Sequence, residues 1–147
     1  MADGGAHHLG RAEHHKTVGD ALAGAANEEW AAVCYFYSAY HLARHALISD
    51  PVFRDLTRLR AINADLLPGS RNITRHHGRF RAGEPRQWGI NELVQVLYPT
   101  VAPRYERLHQ ASIAVRYKQG IPRFSGTDSR AWLDGIEAER AAGRMSR

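Results

Sequence analysis

The chain has 147 residues, 44% of them hydrophobic, and a formal charge of +5 with histidine neutral. That length suits one domain, here taken as residues 1–147, able to bury its own core, and the composition is too balanced for a disordered segment. A lone cysteine, Cys34, excludes an intrachain disulfide and a cysteine-rich zinc or iron–sulfur centre.

No stretch approaches eighteen uncharged apolar residues, and residues 1–10 hold no apolar run able to act as an export signal, so the expected address is the cytoplasm, with no membrane partner. The positive charge is almost all arginine, whose planar fork makes paired contacts to phosphate or carboxylate. Nucleic acid is thus a plausible partner class.

In chain order, Ala12 to Ala26 places Val18, Leu22 and Ala25 at helical spacing, which predicts a modest first helix weakened by Gly19 and Gly24; residues 1–10 before it are expected to be flexible. Glu28 to Ser49 is the strongest signal. Acidic residues open it, and Trp30, Val33, Tyr35, Phe36, Tyr37, Tyr40, Leu42, Leu47 and Ile48 make it apolar on most sides, as a central or interface helix requires. Asp50-Pro51 reads as a cap and first turn for a third helix carrying Phe53, Leu56 and Leu59.

Pro68 to Arg86 loses periodicity to Gly, Pro, Ser, Asn, Arg and His, and is expected to be mostly loop. Ile90, Leu93, Val94 and Leu97 mark a fourth helix that Pro99 ends, and Tyr105, Leu108, Ser112 and Val115 a fifth running to Gln119 with Gly120 as its stop. After turn residues Ile121 to Gly126, Thr127 or Asp128 can cap a last helix with Trp132, Leu133 and Ile136, fraying from Gly143 so that 143–147 are flexible. The expected fold class is all-α, an antiparallel helical bundle of about five to six helices.

Three constellations could carry chemistry. Arg71-Asn72-Ile73-Thr74-Arg75-His76-His77 sets a phosphate-holding cation, with four or five residues intervening, before a group that moves protons near neutral pH; a solvated basic loop would meet the same pattern. Ser38, His41 and His45 share one stripe of the apolar second helix, either as part of a site at the end of the bundle or as ordinary buried polar groups. His41 and His45 lie one turn apart as zinc ligands can, and Glu106-x-x-His109 matches half of a di-iron motif. Neither metal set is complete, and the expectation is no cofactor.

Trp30 with Phe36-Tyr37-Ser38-Ala39-Tyr40-His41-Leu42, His76-His77-Gly78-Arg79, and Tyr105-x-x-Leu108 followed by Ser112 and Arg116-Tyr117 together resemble the HEPN-like (higher eukaryotes and prokaryotes nucleotide-binding) family over about Glu28 to Gln119. The resemblance implies a dimeric bundle. Many members are metal-independent endoribonucleases of toxin–antitoxin, phage-defence or RNA-processing systems that use an Arg-x(4–6)-His motif.

Carried over, Arg71 would stabilise the phosphate, Asn72 would be the polar residue after it, and His76 or His77 would be the acid/base. Ser38, His41, Arg75, Arg79, Arg116 and Tyr117 are candidate binding residues. The expected partners are RNA, a second copy of the chain and a cognate antitoxin or regulatory protein. The alternative is a non-catalytic dimeric module that holds a protein or a nucleotide.

Overall fold

The computed structural model describes residues 5–117 and 126–147. Among them are six α-helices and no strand: α1 (Ala6–Gly24), α2 (Glu28–Ser49), α3 (Leu56–Ile62), α4 (Ile90–Leu97), α5 (Ala102–Tyr117) and α6 (Gly126–Ala141). Two 3₁₀ turns, Pro51–Arg54 and Pro68–Asn72, flank α3. The all-α class follows from the sequence as expected.

The second helix is central because it is apolar nearly all round. Tyr35, Phe36, Ala39, Ala43 and Leu47 are fully or almost fully buried, and α1, α5 and α6 all pack on it. Leu59, Leu93, Leu97, Leu108 and Leu133 complete one core. Each such side chain contributes about 1.5–3 kcal/mol by leaving water.

Gly19, which weakens α1 by propensity, is what lets it approach α2. A Cβ there would lie 2.6 Å from the Tyr35 ring. The Tyr35 hydroxyl donates to Asp20 (2.7 Å), which also accepts from Arg130 (2.9 Å), so one carboxylate ties α1, α2 and α6 together.

Three boundaries differ from expectation. α1 begins at Ala6, six residues early, because Gly5 at φ 82° starts it and His8 packs on His41 of α2. Asp50 caps the 3₁₀ turn, accepting from Val52 N–H (3.0 Å), while α3 starts later on its own cap, Asp55 (3.1 Å to Arg58 N–H). The tail beyond Gly143 returns to the core: Met145 is buried, and the Arg147 N–H donates to both oxygens of buried Asp50 (3.1 Å each).

The expected end of α5 at Gln119 and Gly120, and turn residues 121–125, lie outside the described residues; Gly126 opens α6, so Thr127 and Asp128 lie in its first turn. No helix among the described residues is long and apolar enough to cross a membrane.

Candidate functional site

The segment between α3 and α4 has no helical pattern of its own, yet it is tightly held from both sides. Arg44, buried on α2, donates to the carbonyls of Arg71 (3.1 Å) and Ile73 (2.5 Å), and the Tyr40 hydroxyl donates to the carbonyl of Thr74 (3.1 Å). The first turn of α4 has free N–H groups, and it spends two of them on this segment: Ile90 donates to Arg75 (2.8 Å) and Asn91 to His76 (2.9 Å). The Gly78 N–H donates to Glu92.

Beyond His77 the chain forms a short hairpin whose stem is the reciprocal Arg79–Gln87 pair (2.8 and 2.9 Å). Two glycines permit it. A Cβ on Gly78 would lie 1.8 Å from the Gln87 carbonyl oxygen, and one on Gly89 would lie 2.4 Å from the Gly78 nitrogen.

This scaffold brings His76 and His77 against His109 of α5. Ring centroids are 4.8 Å apart for His76 and His109 and 5.1 Å for His77 and His109, and His109 stacks on Phe36 at 4.7 Å. The three imidazoles differ in what orients them. His77 is the exposed one, and its Nδ1 faces the Glu92 carboxylate at 3.4 Å, which favours the proton on Nδ1 and leaves Nε2 as a base.

His109 is buried, and its Nδ1 lies 2.9 Å from the Asn91 amide nitrogen, which also donates to Glu106 (3.0 Å). An amide nitrogen only donates, so His109 carries its proton on Nε2 when neutral. The buried His76 Nδ1 and the side-chain Oδ1 of Asn91 have no hydrogen-bond partner among the described residues.

Burial lowers the pKa of His76, with Arg116 and His77 adding to it. His109 is lowered to about 4, chiefly by burial and then by His76, His77 and Arg116. Both rings are neutral at pH 7. Arg116 is the fixed cation beside them, aimed by a hydrogen bond to the Tyr37 hydroxyl (3.1 Å) and another to the Ser112 carbonyl (3.2 Å).

A second group of histidines lies in the seam of α1 and α2. His8 and His41 approach Nδ1 to Nδ1 at 2.9 Å, and His15 stacks on His41 with centroids 5.4 Å apart. His8 and His41 are each lowered to about 4, first by burial and then by their charged neighbours, and His15 is lowered for the same reasons. Tyr40 links the groups, lying 5.3 Å from both His41 and His76.

Of the residues singled out by sequence, the structure gathers His76, His77 and Arg116, while Arg75 donates to Gln87 Oε1 of the hairpin stem (3.1 Å). Arg71 contributes its carbonyl, not its guanidinium, to the described contacts, and Asn72 is exposed. Arg79 lies on the stem and Tyr117 is exposed at the described end of α5. Ser38 donates to the Ala12 carbonyl (2.7 Å), a packing bond between α1 and α2, and His41 belongs to the seam.

His45 faces the Gly5 carbonyl (3.3 Å) while His41 turns to His8, so the two do not converge. Glu106 and His109 do converge, but on the Asn91 amide. Among the described residues no three His, Cys, Asp or Glu side chains form a group able to hold a metal ion.

Sequence reasoning missed Glu92, Asn91 and Arg44. The carboxylate and amide begin α4 directly after the loop, a position that could have flagged them. No family model, curated protein or solved structure matches the chain.

Proposed function

We propose that the chain is an RNA-directed, HEPN-like protein that cleaves its substrate without a metal, at the cluster of His76, His77, His109 and Arg116. The observation that carries this reading is the pairing of His77 Nδ1 with Glu92 while Arg116 stands beside the neighbouring rings. A base with a free Nε2, a second imidazole and a guanidinium are the parts that ribose-assisted phosphoryl transfer needs.

His77 takes the proton of the ribose 2′-hydroxyl, and the 2′ oxygen attacks phosphorus. Arg116 and the His109 Nε2–H hold the equatorial oxygens as negative charge builds. His76, whose charged form a seated phosphate favours, gives a proton to the departing 5′ oxygen. The products are a 2′,3′-cyclic phosphate and a 5′-hydroxyl.

In this assignment Arg116 takes the role that the motif spacing gives to Arg71. The resemblance further implies a homodimer and a toxin–antitoxin or phage-defence setting with a regulatory partner protein; the cytoplasmic address is the expectation from composition.

The test is incubation of the purified chain with mixed RNA in EDTA, with the ends identified chemically. Cyclic-phosphate ends from the wild type and none from a folded His77→Ala variant are expected. Intact RNA at high protein concentration would leave a binding module in place of an enzyme.

A further inference from the structure

The hairpin between Gly78 and Gly89 ends in an exposed aromatic flanked by cations. Phe80 is 69% exposed, the second most exposed large hydrophobic side chain after Tyr117 among the described residues. Arg79 and Arg81 stand on either side of it in sequence, and neither guanidinium enters an ion pair among the described residues. The segment from Pro68 to Gly89 carries five arginines and one glutamate.

Nor is the tip loose. Glu84 N–H donates to the Arg81 carbonyl (3.1 Å) with Gly83 at φ 81°, as in a type II turn, and the stem is closed by the Arg79–Gln87 pair. Arg86 lies 3.9 Å over the Trp88 ring, and Arg75 holds Gln87. Exposing a phenyl ring on a rigid stem gains nothing for the fold of this chain, because the hydrophobic effect favours its burial.

We infer that Phe80 is a stacking platform for an unpaired nucleobase, with Arg79 and Arg81 on the adjoining phosphates, so that the substrate is single-stranded RNA. Every nucleobase has a π face that an aromatic ring can cover, and arginine beside it tracks the backbone. In a duplex both faces are already stacked, so Phe80 would have no base to receive. Phe80 follows His77 by three residues, a reach of at most roughly 10 Å of chain, which places it near a nucleotide flanking the scissile phosphate. A membrane surface is the poorer fit, since one ring buries too little apolar area to anchor a protein. The placement of the strand rests on the ribonuclease reading; the stacking itself does not.

The test reads binding without turnover. A labelled 2′-O-methyl oligonucleotide, which cannot be cleaved through its 2′ oxygen, is titrated with the full chain by fluorescence anisotropy in EDTA, beside the duplex of the same sequence and anionic lipid vesicles. Wild type should prefer the single strand. Phe80→Ala should weaken that binding about tenfold or more and leave duplex binding unchanged. Arg79→Ser with Arg81→Ser should weaken both and flatten the salt dependence.

Equal binding of single strand by wild type and Phe80→Ala overturns the inference, as does no single-strand binding at all or a Phe80-dependent affinity for vesicles alone. Loss of the cleavage reading with Phe80-dependent binding intact would sink only the enzyme.

Discussion

The two histidine groups are built from the same side chain, joined through Tyr40, and differ in what surrounds the rings. In the seam of α1 and α2, His8 and His15 both lie against His41, with Arg11 and Arg44 adding to the positive field at His8 and Arg11 to that at His15 and His41. Around His77 and His109, Glu92 and Asn91 fix which nitrogen bears the proton. Three imidazoles crowded together without such partners make packing; partners that set tautomer and a cation alongside make a site.

The largest contrast expected is in turnover. His77→Ala or Arg116→Ala should lower the initial rate of RNA cleavage in EDTA by roughly 10²–10⁴, whereas His41→Gln should leave it within a few fold. Equal losses from both groups would erase the distinction. Glu92→Gln keeps an acceptor for the Gly78 N–H but removes the carboxylate from His77, and a loss on the order of tenfold in rate with an unchanged fold is expected.

Smaller in energy is the anchoring of the loop. Arg44→Met leaves the carbonyls of Arg71 and Ile73 without their donor, and urea unfolding should show a loss of about 2 kcal/mol. Protease nicking between Arg71 and Arg79 should rise as well. An unchanged midpoint would mean that α4 alone holds the segment.

The smallest effect per residue is in the pH dependence of stability. His8, His41 and His109 have folded-state pKa values of about 4 against 6.5 for a free ring. The unfolded chain therefore binds protons first as pH falls below 6.5, and stability drops until about pH 4. Above pH 6.5 these rings contribute no slope. Allowing for solvent screening, each contributes on the order of 1 kcal/mol across that window, and His41→Gln should flatten the slope in chemical unfolding between pH 7 and 4.

The helices were legible where periodicity is strong. The apolar run of α2, the Ile90–Leu97 pattern and the spacing of Leu133 and Ile136 all appear where the pattern puts them. The start of α1 was not, since His7, His8 and Gly10 carry no apolar stripe and the turn is held by His8 against His41 of α2. The site was half legible. His76 and His77 stand out as a pair, and Arg116 enters through the family resemblance.

Which arginine approaches the rings, however, depends on how α5 lies against α2. The motif spacing that favours Arg71 cannot report that a buried Arg44 has already taken its carbonyl. Asn91 and Glu92 look from sequence like ordinary first-turn residues of a helix.

The most direct measurement is histidine ring NMR, following each of the nine imidazoles through a pH titration with and without inorganic phosphate. If the loop cluster is an anion site, phosphate should raise the pKa of His76 and His109 and perturb His77, while His8, His15 and His41 titrate as before. Shifts confined to the seam, or none at all with phosphate at saturating concentration, would contradict it.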